Sequence, residues 1–162
     1  MQLYIVRHAY AGQHGDPSYP NDDLRPVTDR GRKRFRRLIK KLSKRGFAPD
    51  IIATSPLTRC RQTADIIADR FDLEDRVVEL DLLCPQSELE ALVVWTNEQG
   101  IEVATWVGHS PDVEHLAAAL LGARPGAINF AKGAVAAINF DDDLRVGEGE
   151  LDWFVNPKSY GC

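Results

Sequence analysis

The order in which short apolar runs and helical periodicities follow one another limits the fold of this chain more than any other feature. The runs at 2–7 (QLYIVR), 50–54 (DIIAT) and 102–107 (EVATWV) are brief and rich in β-branched and aromatic residues, which marks them as strands. Reading onward from each gives a polar loop to about residue 27, a helix over 29–45, a helix over 56–71, a short strand near 77–80, a helix over 86–99 and a helix over 111–121. Two more strands, 134–140 (AVAAINF) and 150–155 (ELDWFV), lie close together across a turn containing Gly and Asp. Strands alternating with helices pack as a parallel sheet covered on both faces. The expected fold class is therefore α/β: a three-layer α/β/α sandwich with a mostly parallel central sheet and an antiparallel portion near the end.

At 162 residues and 44% hydrophobic composition, the chain suits a single domain spanning 1–162 with its own core. No apolar stretch approaches the ~20 residues that span a bilayer, and the N-terminus lacks a signal-peptide pattern, so the expectation is a cytoplasmic protein without a membrane segment. Cys60, Cys84 and Cys162 are odd in number and far apart, which fits neither a disulfide framework nor a metal ribbon.

The net charge of −4 conceals strong segregation. Residues 30–45 (RGRKRFRRLIKKLSKR) hold ten of the 20 Lys and Arg residues and no acid, so the remainder of the chain is near −14. Phe35, Leu38, Ile39 and Leu42 recur at i, i+3, i+4 and i+7, giving this helix one buried stripe and a cationic outer surface. That surface reads first as a solvated face and second as a docking surface for an acidic partner. Nucleic acid fits poorly, because no aromatic residues interleave with the charges.

Polar residues of unusual type collect at one edge of this predicted sheet. Arg7 and His8 end the first strand, Arg59 lies one turn into the helix after the second long strand, and His109 follows strand 102–107 directly. Ser55-Pro56 and Ser110-Pro111 stand at the same edge, each with a serine expected as N-cap and a proline at the first helical position. Ligands of open α/β sheets bind at that edge. Two guanidiniums and two imidazoles in one place repel one another unless an anion joins them, and a phosphoryl group matches the arginine forks.

These residues, in the stretches RHA (7–9), SPLTRCRQTA (55–64) and GHSP (108–111), together with LRPVTDRG (24–31), resemble the histidine phosphatase superfamily of phosphoglycerate mutase-like fold. The similarity is greatest to its compact SixA-like phosphohistidine phosphatases, and runs in order over essentially the whole chain. Ala9 stands where the superfamily commonly has glycine, and Cys60 where a small residue such as alanine is usual. The resemblance implies that His8 is the nucleophile, that Arg7 and Arg59 clamp phosphate, and that His109 is a second phosphate-contacting histidine. It implies a metal-independent hydrolase without cofactor, in which neutral His8 attacks phosphorus and Arg7, Arg59 and a protonated His109 stabilise the equatorial oxygens.

A leaving alkoxide needs a general acid, whereas imidazole leaves more readily. Glu79 and Asp81 are available as donors, but read first as solvated residues at a strand end or loop. Between Pro85 and His109 there is room for one helix and one strand and for no inserted cap, so the site is expected to be open and suited to a phosphohistidine-bearing protein partner. The loop 9–27 is expected to form a rim, as a long connection beside a site. His14, Asp16, Asp22, Asp23 and Arg25 could touch a partner from it, with solvation as the first reading.

Other readings fit less well. A serine-hydrolase elbow at Ser110 requires glycine at 112, where Asp112 stands. His109 and His115 are six apart and do not stack on one helical face as metal ligands would, so His115 reads as a helix-surface residue. A phosphatase of small phosphate esters and a non-catalytic phosphate-recognising adaptor remain as alternatives. The absence of heptads and long exposed apolar stripes favours a monomer.

Overall fold

β1 (Gln2–Arg7) and β4 (Val103–Gly108) run side by side in the middle of a six-stranded sheet, in a computed structural model that describes residues 1–162. With β2 (Ile51–Thr54), β3 (Val77–Glu79), β5 (Val135–Asn139) and β6 (Glu150–Val155) the strand order is β3-β2-β4-β1-β5-β6. The first four of these positions are parallel, while β5 pairs antiparallel with β1 and β6 antiparallel with β5. This is the mixed α/β sandwich expected from the alternation of elements.

Strand alternation divides the core into two. Tyr4 and Val6 of β1 face one side of the sheet, with Phe35, Leu38, Ile39 and Leu42 of α1 (Asp29–Ser43) and Cys60, Ala64 and Ile67 of α2 (Thr58–Phe71). Leu3 and Ile5 face the other side, with Leu92 of α3 (Leu89–Glu98) and Val113, Leu116 and Leu120 of α4 (Asp112–Leu120). Each fully buried aliphatic or aromatic side chain contributes about 2 kcal/mol, so the four-residue stripe of α1 anchors that helix despite its cationic outer face.

Several helix starts differ from the expected ones, for identifiable reasons. α3 begins at Leu89, not near 86, because Gln86 has φ 74, a left-handed conformation outside the helical region. Its backbone N–H and that of Ser87 donate to the Asp112 carboxylate at 3.0 and 3.2 Å. The two Ser-Pro pairs do not cap helices as expected. α2 starts at Thr58 after Leu57 and α4 at Asp112 after Pro111, and neither start has a side-chain cap. Both serine hydroxyls are engaged elsewhere: Ser55 Oγ lies 2.9 Å from His109 Nε2, and Ser110 Oγ donates to Glu114 Oε1 at 3.0 Å.

The start of α1 is tied to the segment that follows β1. Thr28 caps the helix, its Oγ1 accepting from Gly31 N–H at 3.0 Å and donating to the Tyr10 carbonyl at 3.1 Å. Gly31 lies so close to that carbonyl that a Cβ there would collide with it. The glycine thus permits the contact that positions residues 9–11 beside the sheet edge. No helix is long and apolar enough to cross a membrane.

Candidate active site

His8 directly follows β1, and its main chain is held from both sides. Its N–H donates to the Gly108 carbonyl at the end of β4 at 3.0 Å, and its carbonyl accepts from Gly133 N–H at 3.0 Å. The side chain is fixed as well: Nδ1 lies 2.8 Å from the Ala9 carbonyl. A carbonyl oxygen only accepts, so Nδ1 carries the hydrogen and Nε2 keeps its lone pair. Burial lowers the His8 pKa to about 3, with further lowering from His109, Arg59 and Arg7. The imidazole is therefore neutral at pH 7 and presents a nucleophilic nitrogen.

His109, the residue after β4, faces it with ring centroids 5.6 Å apart. His8, Arg59 and His109 are each no more than 6% exposed. His109 Nε2 and Ser55 Oγ share one hydrogen across 2.9 Å, and Cys60 Sγ lies 3.5 Å from the same nitrogen. Burial lowers the His109 pKa to about 4, and Arg59, Arg25 and Arg7 lower it further. The expectation of a protonated His109 thus does not hold among the protein's own groups. The three arginines outweigh the opposing Asp22 carboxylate, and an arriving anion adds to the field that favours the charged form.

Arg7 and Arg59 stand at the same centre, each with only its Nη1 engaged by the protein. Arg7 Nη1 donates to the Phe130 carbonyl at 2.6 Å, and Phe130 N–H in turn donates to Glu114 Oε1 at 3.2 Å. Arg59 Nη1 donates to the Asp22 carbonyl at 2.9 Å and lies 3.4 Å from Asp22 Oδ2. The Nε atoms of both arginines are buried without a hydrogen-bond partner. Buried donors are normally satisfied, so two unsatisfied guanidinium nitrogens beside two imidazoles suit an anion with several acceptor oxygens. Sequence reasoning placed all four groups at one sheet edge, and the fold brings them together there.

Other residues reach this centre in roles that the sequence did not assign to them. Asp22, in the loop 9–27, accepts from Arg25 Nε at 2.8 Å and Nη2 at 3.2 Å and is 3.2 Å from His14 Nδ1. The Arg25 hydrogen bonds hold the Asp22 carboxyl well below the usual carboxylate range. Arg25, expected to be solvated, is buried and donates to the Ala11 carbonyl at 2.6 Å. Its long side chain is drawn inward because a carboxylate and a carbonyl satisfy its fork there. Thr63 links the site to α2: its Oγ1 accepts from Ala9 N–H at 3.0 Å and donates to the Arg59 carbonyl at 2.6 Å. Ala9 is buried and adopts no positive φ, so alanine in place of glycine asks nothing unusual of the backbone.

Some sequence candidates lie outside the centre. Glu79 ends β3 in an exposed ion pair, 3.0 Å from Arg61 Nη1. Asp81 opens the following single turn and is exposed, with its charge close enough to Cys84 to help raise that thiol's pKa. His115 is exposed on α4, Asp16 is half-buried, and Asp23 is exposed. No group of three or more His, Cys, Asp and Glu side chains is arranged to hold a metal ion.

Comparison with known proteins identifies the class that this fold and centre define. Residues 3–84 match the model of the histidine phosphatase superfamily (branch 1), and the chain belongs to that superfamily. It is 32% identical over 144 residues to an uncharacterized protein of Picosynechococcus sp., SYNPCC7002_A2622, covering 85% of this chain and 84% of the relative. The structure of the protein histidine phosphatase SixA complexed with tungstate superposes with a TM-score of 0.84 at 24% identity, covering 99% of each chain. SixA from Agrobacterium tumefaciens superposes with a TM-score of 0.77 at 23% identity, covering 96% of this chain and 97% of the other. At these identities the likeness to both SixA structures is one of fold.

Proposed function

We propose that residues 1–162 act as one monomeric phosphatase domain that removes phosphate from phosphohistidine on a protein partner, through a phosphohistidine intermediate on His8. The observation that carries this reading is the state of His8: Nδ1 is committed to the Ala9 carbonyl and the ring is held neutral, which leaves Nε2 free to attack.

In the first step the Nε2 lone pair forms a bond to phosphorus as the bond from phosphorus to the substrate imidazole breaks. The departing imidazole takes up a proton from solvent. Its leaving nitrogen is far less basic than an alkoxide, so a dedicated acid is dispensable. In the second step water attacks phosphorus, the P–Nε2 bond breaks, and His8 returns to its neutral form with release of inorganic phosphate. Arg7 and Arg59 receive the phosphoryl oxygens with their unpaired Nε–H groups, and His109 gains a proton as the dianion approaches. The stabilising charge comes from these side chains, without a metal or cofactor. The tungstate described for SixA suits such a centre, since tungstate is a phosphate-like oxyanion.

Hydrolysis of small phosphate esters is the competing reading, and it would need a proton donor such as Asp81, an exposed carboxylate in the turn after β3. Comparing a phosphohistidine protein with alkyl and sugar phosphates decides between them. A higher kcat/KM on the phosphohistidine protein supports the proposal, and equal or better rates on the esters overturn it. His8→Ala abolishes turnover, and rapid acid-free quenching of the wild type traps phosphate on His8. Wild-type activity in His8→Ala would overturn the nucleophile, and phosphate binding without turnover by the wild type would mark an adaptor.

A further inference from the structure

A cleft of about 280 Å³ lies beside the nucleophile segment. Ala9, Phe35 and Pro157 supply apolar walls, Arg34, Lys132 and Lys158 bring three cationic side chains, of which Arg34 also donates to the Cys162 carbonyl, and no Asp or Glu lines it. Its position follows from the sheet. The end of β1, the start of antiparallel β5 and the end of β6 meet at one edge, so residues 9–10, 131–133 and 157–158 emerge next to His8. Gly133, another wall residue, donates its N–H to the His8 carbonyl. It holds φ 80, with Phe35 and Pro157 carbons about 3.3 Å from where a Cβ would stand, so the turn leaves the cleft room that a side chain would fill.

Lys132 joins the cleft to the phosphate centre. Its Nζ donates to the Gly12 carbonyl at 2.9 Å and sits 4.7 Å from the Tyr10 ring centre. Burial, and then the charges of Arg25, Arg7 and Arg59, lower its pKa, so it stands within the field of the catalytic cations. Arg34 continues the cationic surface away from the site, along Arg30, Lys33 and Arg37 of α1, where Asp29 is the one acid. Several other basic residues of the stretch 30–45 have neighbours within the chain. Lys41 donates to the Tyr160 carbonyl at 2.6 Å, Arg45 stacks over the Tyr160 ring, and Arg32 and Arg36 face Asp65, Asp69 and Glu74.

We infer that this cleft is a side-chain subsite of the phosphorylated protein, receiving a glutamate or aspartate that flanks the phosphohistidine, with Arg30, Lys33 and Arg37 meeting the acidic surface beyond it. The inference rests on the proposed phosphohistidine activity. Charge complementarity selects the occupant: an acidic partner is drawn to this strip and repelled by the rest of a chain that is near −14 outside residues 30–45. The apolar walls accept the methylene stem while the cationic heads meet the carboxylate.

The test uses phosphohistidine peptides in which a glutamate replaces glutamine at each position from four before to four after the phosphoresidue. In the wild type, glutamate at one or two adjacent positions raises kcat/KM about tenfold, the equivalent of one charge-assisted contact. That gain falls to about twofold or less in Lys158→Ala and in Ala131→Leu, which fills the cleft, and persists in Lys158→Arg. Peptide turnover without any positional gain overturns the subsite and leaves the phosphatase reading standing. A gain that survives both Lys158→Ala and Ala131→Leu also overturns it. Absence of turnover on every peptide by the wild type overturns both readings.

Discussion

Arg59 and Asp22 join two distant parts of the chain, since one guanidinium nitrogen contacts both the carbonyl of Asp22, at 2.9 Å, and its carboxylate, at 3.4 Å. The pair holds the long loop after β1 against the first turn of α2. It also restrains one of the two arginines in the proposed phosphate centre, so the loop and that guanidinium are held as a unit.

Asp22→Asn removes the charge that Arg25 and Arg59 share, and a charge-assisted hydrogen bond is worth about 2 kcal/mol. The variant is expected to lose stability of that order at pH 7 and about tenfold in kcat/KM, as Arg59 loses its fixed orientation. The folded-state pKa of Asp22 is lowered, so its contribution is present above the unfolded value of about 4 and is lost as pH falls through the folded value. Denaturant titrations of both proteins from pH 7 down to acid should therefore converge. A stability difference that grows on acidification would contradict this role.

Ser55→Ala leaves His109 Nε2 without its 2.9 Å partner in a buried setting. Only the weaker Cys60 thiol at 3.5 Å remains, so a cost of about 1 kcal/mol is expected, and loss of ring orientation is expected to lower kcat about tenfold with little change in KM. Steady-state kinetics together with thermal unfolding separate the two effects. A variant with wild-type kcat would show that His109 needs no such anchor.

The two histidines set the acid behaviour of the protein. Their folded pKa values, about 3 for His8 and about 4 for His109, lie below the ordinary value near 6.5. Their neutral forms thus contribute stability that is present above about pH 6.5 and is lost as pH falls through 4 and 3. The acid limb of kcat/KM is expected below about pH 5, since His8, the proposed nucleophile, stays neutral until then. NMR titration of the imidazole resonances, repeated with inorganic phosphate or vanadate, should show the His109 value rising on anion binding. An acid limb centred near 6.5 would mean that burial does not hold His8 neutral.

Gly31→Ala drives a methyl group into the Tyr10 carbonyl, and relief requires the start of α1 or residues 9–11 to move. Overpacking of this kind costs about 1–3 kcal/mol. Because Ala9 and Tyr10 adjoin His8, kcat should fall as well, while an exposed control such as Lys40→Ala leaves both quantities unchanged within experimental scatter. Equal behaviour of the two variants would show that the close approach is not needed.

The sequence by itself determined the architecture and the set of polar groups that gather at one sheet edge. Period-two and period-3.6 patterns are local, so the alternation of strands and helices, the buried stripe Phe35, Leu38, Ile39 and Leu42, and the gathering of Arg7, His8, Arg59 and His109 at one edge could be read from residue spacing. What each polar group does with its remaining bonds could not. Ser55 and Ser110 look like helix caps in the sequence, yet serve His109 and Glu114. Arg25 looks solvated, yet is buried between Asp22 and the Ala11 carbonyl. The proton state of His109 likewise depends on its burial and then on three arginines separated from it by fifty to a hundred residues of chain. Hydrogen bonds and fields act through space over a few ångströms, and only the closed fold decides which groups come within that range.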